Sequence, residues 1–266
     1  MALTQEDLIK QWETEENYAF QGWDFLHING RWLEPNTPWD YKAIIHTYLK
    51  ETDILLDMGT GGGEFLLTLN HPYENTYATE AYRPNYELCV KTLSPLGITV
   101  LKTYTDENLN ADDKLPFYDN MFDVIINRHE SFDLKEVNRT LKHGGYFITQ
   151  QVGNQNSNKM MRKLNDNFEP YMPHHTISNY LDKLHSLDFE IIESNEFVYP
   201  VKILDVGTLV FMAKTIVWEF PGFSVKTHLS KLLDCQKEVE EKGCLEDFGH
   251  RFYIVSRKGV FIDDIV

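Results

Sequence analysis

The chain is poor in the residues that build disulfide frameworks and metal sites. Cys89, Cys235 and Cys244 are scattered and odd in number, with no C-x-x-C pair. Neither a disulfide scaffold nor a zinc site is expected, and no metal is assigned. Positive charge is scarce too: 25 Lys and Arg stand against 41 Asp and Glu, a formal net charge of -16. Unspecific nucleic-acid binding needs cations to neutralise phosphates, so that class of partner is disfavoured. The densest basic group, Lys159 to Lys163, reads as a solvated helix face. No run approaches the ~18 apolar residues of a membrane span. The acidic start, Met1 to Asp7, lacks the basic-then-apolar form of a signal peptide. The expectation is a cytoplasmic protein with no membrane partner. No Gly-Lys-Ser/Thr follows a glycine loop, which disfavours a phosphate-cradling P-loop.

What is present centres on Ile54-Leu55-Leu56-Asp57-Met58-Gly59-Thr60-Gly61-Gly62-Gly63-Glu64-Phe65-Leu66. A short apolar run suits a strand buried on both faces. Asp57 closes it, glycines alternate through a turn, and an apolar helical pattern resumes. Strand, glycine turn and helix make the first crossover of a doubly wound sheet, where ligands bind at the carboxyl ends of the strands. Glycine suits unusual φ/ψ and lets a ligand approach bare backbone. The form Asp-x-Gly-x-Gly-x-Gly is not the dinucleotide fingerprint G-x-G-x-x-G. It resembles motif I of the class I S-adenosylmethionine-dependent methyltransferases. That resemblance implies that Asp57, Gly59, Gly61 and Gly63 hold the methionine end of S-adenosylmethionine.

Other blocks follow in the order this family shows. Thr76 to Glu80 reads as a second strand, and Glu80 closes it about twenty residues past the turn, where an acid can accept both ribose hydroxyls. The resemblance puts Ala81, with Tyr82, beside the adenine. It also puts Asp106 near the adenine amine, although Glu107 competes for that role. Pro84 to Leu96 reads as a helix, and Ile98 to Leu101 with Tyr104 as a strand. Leu115-Pro116-Phe117-Tyr118-Asp119-Asn120-Met121-Phe122-Asp123-Val124 is similar to a further family block, with a strand over 122–127 ending at Asn127, a candidate cofactor-binding residue. A helix over 133–141 follows, with Lys142-His143-Gly144-Gly145 as a glycine C-cap. Residues 146–152 read as the next strand, 189–193 as another, and 251–257 as a last, antiparallel one.

The fold expected is therefore α/β: a doubly wound, seven-stranded, mostly parallel sheet of the Rossmann-like methyltransferase type. Residues 1–50 read as an N-terminal helical, aromatic arm, with Thr4 as N-cap of a helix over 4–19. Its aromatics either pack on the main domain or wall a substrate pocket. Residues 51–196 form the cofactor-binding core. Residues 197–248, too long for a hairpin connection, form a cap inserted between the last two strands, or else a surface decoration or dimer contact. Residues 249–266 complete the last strand and tail.

Methyl transfer from a sulfonium needs an aligned acceptor and, where required, a base. Arg128, His129 and Glu130 follow Asn127 at the strand end, where both should project. His129 with Glu130 can supply a base near neutral pH, and Arg128 can bind a carboxylate in a fork. Alternatively Arg128 pairs with Glu130 and His129 caps a helix. Gln150 and Gln151 end the neighbouring strand, and alternation turns one of them toward the pocket. No Asn/Asp-Pro-Pro-Tyr/Phe ends the strand, no cysteine stands nearby for a thiolate route, and no aspartate cluster suggests Mg²⁺. The expected activity is methylation of O or N on a small molecule. Methylation of RNA and a non-catalytic cofactor-binding module are the alternatives.

Overall fold

The computed structural model describes residues 4–20, 25–103, 114–169 and 172–260. Its helices are α1 (Gln5–Glu16), α2 (Tyr41–Tyr48), α3 (Glu64–Thr68), α4 (Arg83–Thr92), α5 (Leu134–Thr140), α6 (Asn158–Leu164), α7 (Ile177–His185), α8 (Val206–Thr215) and α9 (Leu229–Lys242). Its strands are β1 (Trp32–Leu33), β2 (Leu55–Met58), β3 (Thr76–Glu80), β4 (Thr99–Lys102), β5 (Phe122–Arg128), β6 (Leu141–Val152), β7 (Phe189–Ile203) and β8 (Leu245–Lys258). The sheet order is β1-β7-β8-β6-β5-β2-β3-β4. Pairs β2–β3, β3–β4, β2–β5 and β5–β6 are parallel, and β6–β8 is antiparallel.

The sheet has eight strands, not the seven expected. The cause lies in β7, which runs to Ile203 where the sequence pattern predicts an end near 193. Its extra length offers an edge, and Trp32 and Leu33 pair antiparallel with Ile203 and Lys202. A second correction concerns the glycine C-cap expected at 142–145. Helix α5 stops at Thr140 because Leu141 turns extended, buries fully and pairs with Phe122, so β6 runs on through both glycines.

The chain divides into two compact units. One comprises residues 37–152, 175–196 and 251–266. Its sheet is buried on both faces. Leu55, Ala78, Val124, Ile126, Ile148 and Val255 fill one side with Tyr41, Leu66 and Cys89. Leu56, Ile125, Phe147 and Ile254 fill the other with Phe122, Val137 and Leu184. This explains the apolar runs read from the sequence. Arg139 anchors the Leu115–Asp119 stretch, donating to the carbonyls of Leu115 and Phe117 and to Asp119 and Glu136.

The other unit comprises residues 1–36, 153–174 and 197–250. Helix α1 begins with the capping box expected at Thr4, whose hydroxyl and backbone exchange hydrogen bonds with Asp7. Helix α8 is buried from Val206 to Ala213, as an all-round apolar helix must be. Asp205 caps it and accepts a bidentate pair from Arg31, whose guanidinium also meets Glu15 at 2.7 Å. Trp12, Val210, Leu232 and Leu245 lie in its core.

Candidate active site

The site begins where β2 ends. Met58 pairs in register with Thr79 on one side and Asn127 on the other, so three strands finish at one level. The chain then turns through Gly59, Gly61 and Gly63, with φ of +71°, +65° and +86°. This left-handed backbone costs L side chains about 1–2 kcal/mol each. The turn is tied back to β3: the Gly59 and Thr60 amides both donate to the Thr79 carbonyl at 3.0 Å. Close packing sets a second demand. A Cβ on Gly59 would lie 2.2 Å from Cγ of Glu130, and one on Gly63 would lie 2.7 Å from Leu93.

Two buried acids flank the turn. Glu80 accepts from the Gly61 amide at 2.9 Å and from the Tyr82 amide at 2.8 Å. The Ala81 amide also lies against this carboxylate. Burial raises its pKa, partly offset by those amides. Asp57 is more strongly affected: burial pushes it up to about 6, against smaller opposing effects of Thr60 and the Arg128 charge. Thr60 lies near enough to influence Asp57, yet its buried Oγ1 has no hydrogen-bond partner of good geometry. Bare left-handed backbone beside two buried acids fits a site that receives a polar ligand. Behind the turn, the Cys89 thiol donates to the Gly61 carbonyl at 3.0 Å. Burial pushes that thiol up to about 12, so it is a structural donor rather than a nucleophile.

Asn127 is fully buried at the end of β5. Its amide donates to the Met58 carbonyl at 3.0 Å, and its oxygen accepts from Thr149 and Gln151. Tyr41 holds the backbone of the same strands, its hydroxyl set between the carbonyls of Asn127 and Ile148. Arg128 turns to the opposite face and lays its guanidinium 4.2 Å from the ring centre of Phe65 on α3. It makes no ion pair with Glu130. The Glu130 carboxylate accepts from the Ser131 amide at 3.2 Å, and its stem lies against Gly59. His129 caps no helix. Its backbone is left-handed at φ +62°, and its Nε2 meets the Gln150 amide nitrogen at 3.2 Å. The residue is exposed to solvent. Loss of water around the ring against Gln150, with Arg251 and Arg128 nearby, holds its pKa below the usual imidazole value.

The structure thus gathers Asp57, Gly59, Gly61, Gly63, Glu80, Asn127, Arg128, His129 and Glu130 at one end of the parallel strands, with Ala81 next to Glu80. Asp106 and its competitor Glu107 lie outside the described residues. Both glutamines are used: Gln150 toward His129 and Gln151 toward Asn127, on opposite faces as alternation requires. Tyr41 and Trp39 carry no motif signal of their own, and they enter through contacts with residues distant in sequence. A small cavity of about 180 Å³ lined by Leu164, Phe220, Phe223 and Lys231 belongs to the other unit and holds none of these groups. Among the described residues no cluster of His, Cys, Asp and Glu is arranged to hold a metal ion, and no helix is long and apolar enough to cross a membrane.

A parallel sheet with a glycine turn between two strand-end acids, closed by an antiparallel strand, is the Rossmann-like methyltransferase fold. Solved structures share it. A candidate methyltransferase from Bacillus halodurans C-125 aligns over 83% of this chain and 99% of its own, at TM-score 0.51 and 16% identity. The YcgJ protein from Bacillus subtilis aligns over 83% and 98%, at 0.53 and 17%. A functionally unknown protein from Deinococcus radiodurans R1 aligns over 85% and 92%, at 0.54 and 10%. No curated protein matches the chain. Residues 56–149 match the methyltransferase domain family, a span running from β2 into β6. That match, on a chain with this fold, supports an enzyme whose cofactor is S-adenosylmethionine.

Proposed function

We propose that the enzyme methylates an O or N atom of a small molecule beside the carboxyl ends of β2 and β5. The observation that carries this reading is the turn of three left-handed glycines beside buried Asp57 and Glu80, with the Gly61 amide donating to Glu80 and the Thr60 side chain against Asp57. When bound, S-adenosylmethionine supplies an electrophilic methyl on a sulfonium that is already a good leaving group. In this reading the backbone of Gly59, Gly61 and Gly63 and the Asp57 carboxylate hold its amino-acid end. The Glu80 carboxylate takes the ribose hydroxyls, and Ala81 lies beside the base. Asn127 holds the ends of β2 and β5 together, so that the turn and the acceptor side keep one geometry. Arg128, His129 and Glu130 then face the acceptor. A net charge of -16 supports a small acceptor over a polyanionic one.

Calorimetry tests the cofactor site. Wild type should bind S-adenosylmethionine, and Gly61→Val should lose that binding. Unchanged affinity would remove the turn from the site. Incubating methyl-labelled cofactor with fractionated cell extract tests the acceptor. Label should enter the small-molecule fraction, and label confined to RNA or protein would overturn the acceptor class.

A further inference from the structure

Trp39, Gln150 and His129 form a chain of hydrogen bonds whose polarity is fixed by chemistry alone. The indole N–H of Trp39 meets Gln150 Oε1 at 2.8 Å. An indole nitrogen only donates, so the amide oxygen must face it and the amide nitrogen must face His129. An amide nitrogen also only donates, so His129 Nε2 accepts, and the proton of the neutral ring sits on Nδ1. The relay has a rigid footing. Gln150 pairs in register with Arg128 on β5 and with Tyr253 on β8. The Trp39 ring lies 5.0 Å from that of Tyr253. Glu193 accepts from the hydroxyls of both Tyr253 and Tyr48.

We propose that Trp39 and Gln150 are positioning residues that hold His129 as a neutral hydrogen-bond donor through Nδ1–H, and that this donor and Arg128 together receive a carboxylate group on the methyl acceptor. The inference rests on the reading of this strand end as the methyl-transfer site. Three observations point to a carboxylate. His129 Nδ1 has no hydrogen-bond partner among the described residues, and its Nε2 lone pair is already engaged, so the ring offers a donor and not a base. Arg128 follows directly on Asn127 and makes no ion pair among the described residues, its guanidinium lying over Phe65 with its N–H edge left for a planar anion. Arg251 adds a further cation near the ring. Loss of water around the ring, with those two cations, holds His129 neutral at pH 7. A planar anion is what a fork of N–H groups beside a neutral donor recognises.

The test is ¹⁵N NMR of the histidine side chains at pH 7, with His129→Gln to assign the signal and calorimetry to confirm cofactor binding in every variant. In wild type His129 should be neutral with Nδ1 protonated. Gln150→Glu puts an oxygen opposite Nε2, so the proton should move to Nε2 or the ring should become cationic. Trp39→Phe frees the amide to rotate and should give a mixture of tautomers. A wild-type ring protonated on Nε2, or one unmoved by Gln150→Glu, overturns the relay. Cofactor-loaded enzyme is then titrated at constant ionic strength with sodium acetate or methylammonium chloride as probes. Acetate should move the His129 Nδ1 signal and methylammonium should not, and Arg128→Met should weaken acetate binding about tenfold, the loss expected for a charge-assisted hydrogen bond. A response to methylammonium, to neither probe, or one that survives Arg128→Met overturns the carboxylate. Failure of the cofactor itself to bind wild type would instead overturn the site reading beneath it.

Discussion

Replacing Asp57 by Asn should change how stability depends on pH, and the size of the change follows from burial. The carboxyl is pushed from its ordinary 3.8 up to about 6 because its ionised form loses water in the folded chain. At about 1.4 kcal/mol for each tenfold change in the proton equilibrium, ionising it in the fold costs about 3 kcal/mol. A raised acid pKa means that the folded state keeps its proton longer than the unfolded state does. The stability tied to that proton is fully present below pH ~4, is lost as the pH rises to about 6, and is gone above that. The asparagine that replaces it has no proton to lose. The difference in unfolding free energy, Asp57→Asn minus wild type, should therefore rise by about 3 kcal/mol between about pH 4 and pH 7 and then level off. Glu80 adds a smaller rise of the same sign, because the Asp57 charge helps to raise its pKa. The assay is urea denaturation followed by circular dichroism at a series of pH values and fixed ionic strength. Cofactor binding should run the other way in wild type. A cationic ligand favours the carboxylate, so its affinity should improve about tenfold from about pH 5 to pH 7 in wild type and stay flat in Asp57→Asn. A stability difference independent of pH would mean that Asp57 is not desolvated, and the account of the turn would fail with it.

Two further substitutions probe other parts of the domain. Gly59→Ala combines a left-handed φ with a Cβ 2.2 Å from the Glu130 stem. It should cost about 2 kcal/mol or more of stability and weaken cofactor binding at least about tenfold; a variant with wild-type affinity by calorimetry would show that the turn can move freely. Arg139→Met strips the half-buried Glu136 of its ion pair and leaves two carbonyls of the 115–119 stretch without a donor. It should lower the urea midpoint by an amount corresponding to about 2–4 kcal/mol, whereas Lys10→Met, whose pair with Glu6 is exposed, should leave it nearly unchanged.

What could be read from the chain alone was what local pattern encodes. The Asp57 to Leu66 stretch holds strand end, turn glycines and helix start within about a dozen residues, so its geometry needs no distant partner. The same is true of Thr4 with Asp7 and of the apolar strands at 122–127 and 251–257. The errors came where neighbours in space decide. The end of β7 is set by Trp32 and Leu33, some 170 residues earlier, and the end of α5 by the pairing of Leu141 with Phe122. The glycines at 144 and 145 look like a helix stop in isolation. They are strand residues because Leu141 buries better against Phe122 than a further helical turn would allow.

The site divides in the same way, and the division bears on mechanism. A motif can name His129 as a candidate base, because it records that an imidazole follows a strand end. It cannot record which nitrogen holds the proton. That depends on Gln150, 21 residues on, and on Trp39, 111 residues from Gln150 in the opposite direction. Once Trp39 has fixed the amide, Nε2 can accept a proton only by displacing its donor. A base role for His129 then carries the added cost of breaking that hydrogen bond, about 0.5–1.5 kcal/mol, against a pKa already held low. A donor role carries neither cost. The chemistry at this strand end is therefore set less by the identity of residue 129 than by the indole that orients its neighbour, and Trp39→Phe should alter the tautomer of His129 while leaving the glycine turn and its cofactor affinity intact.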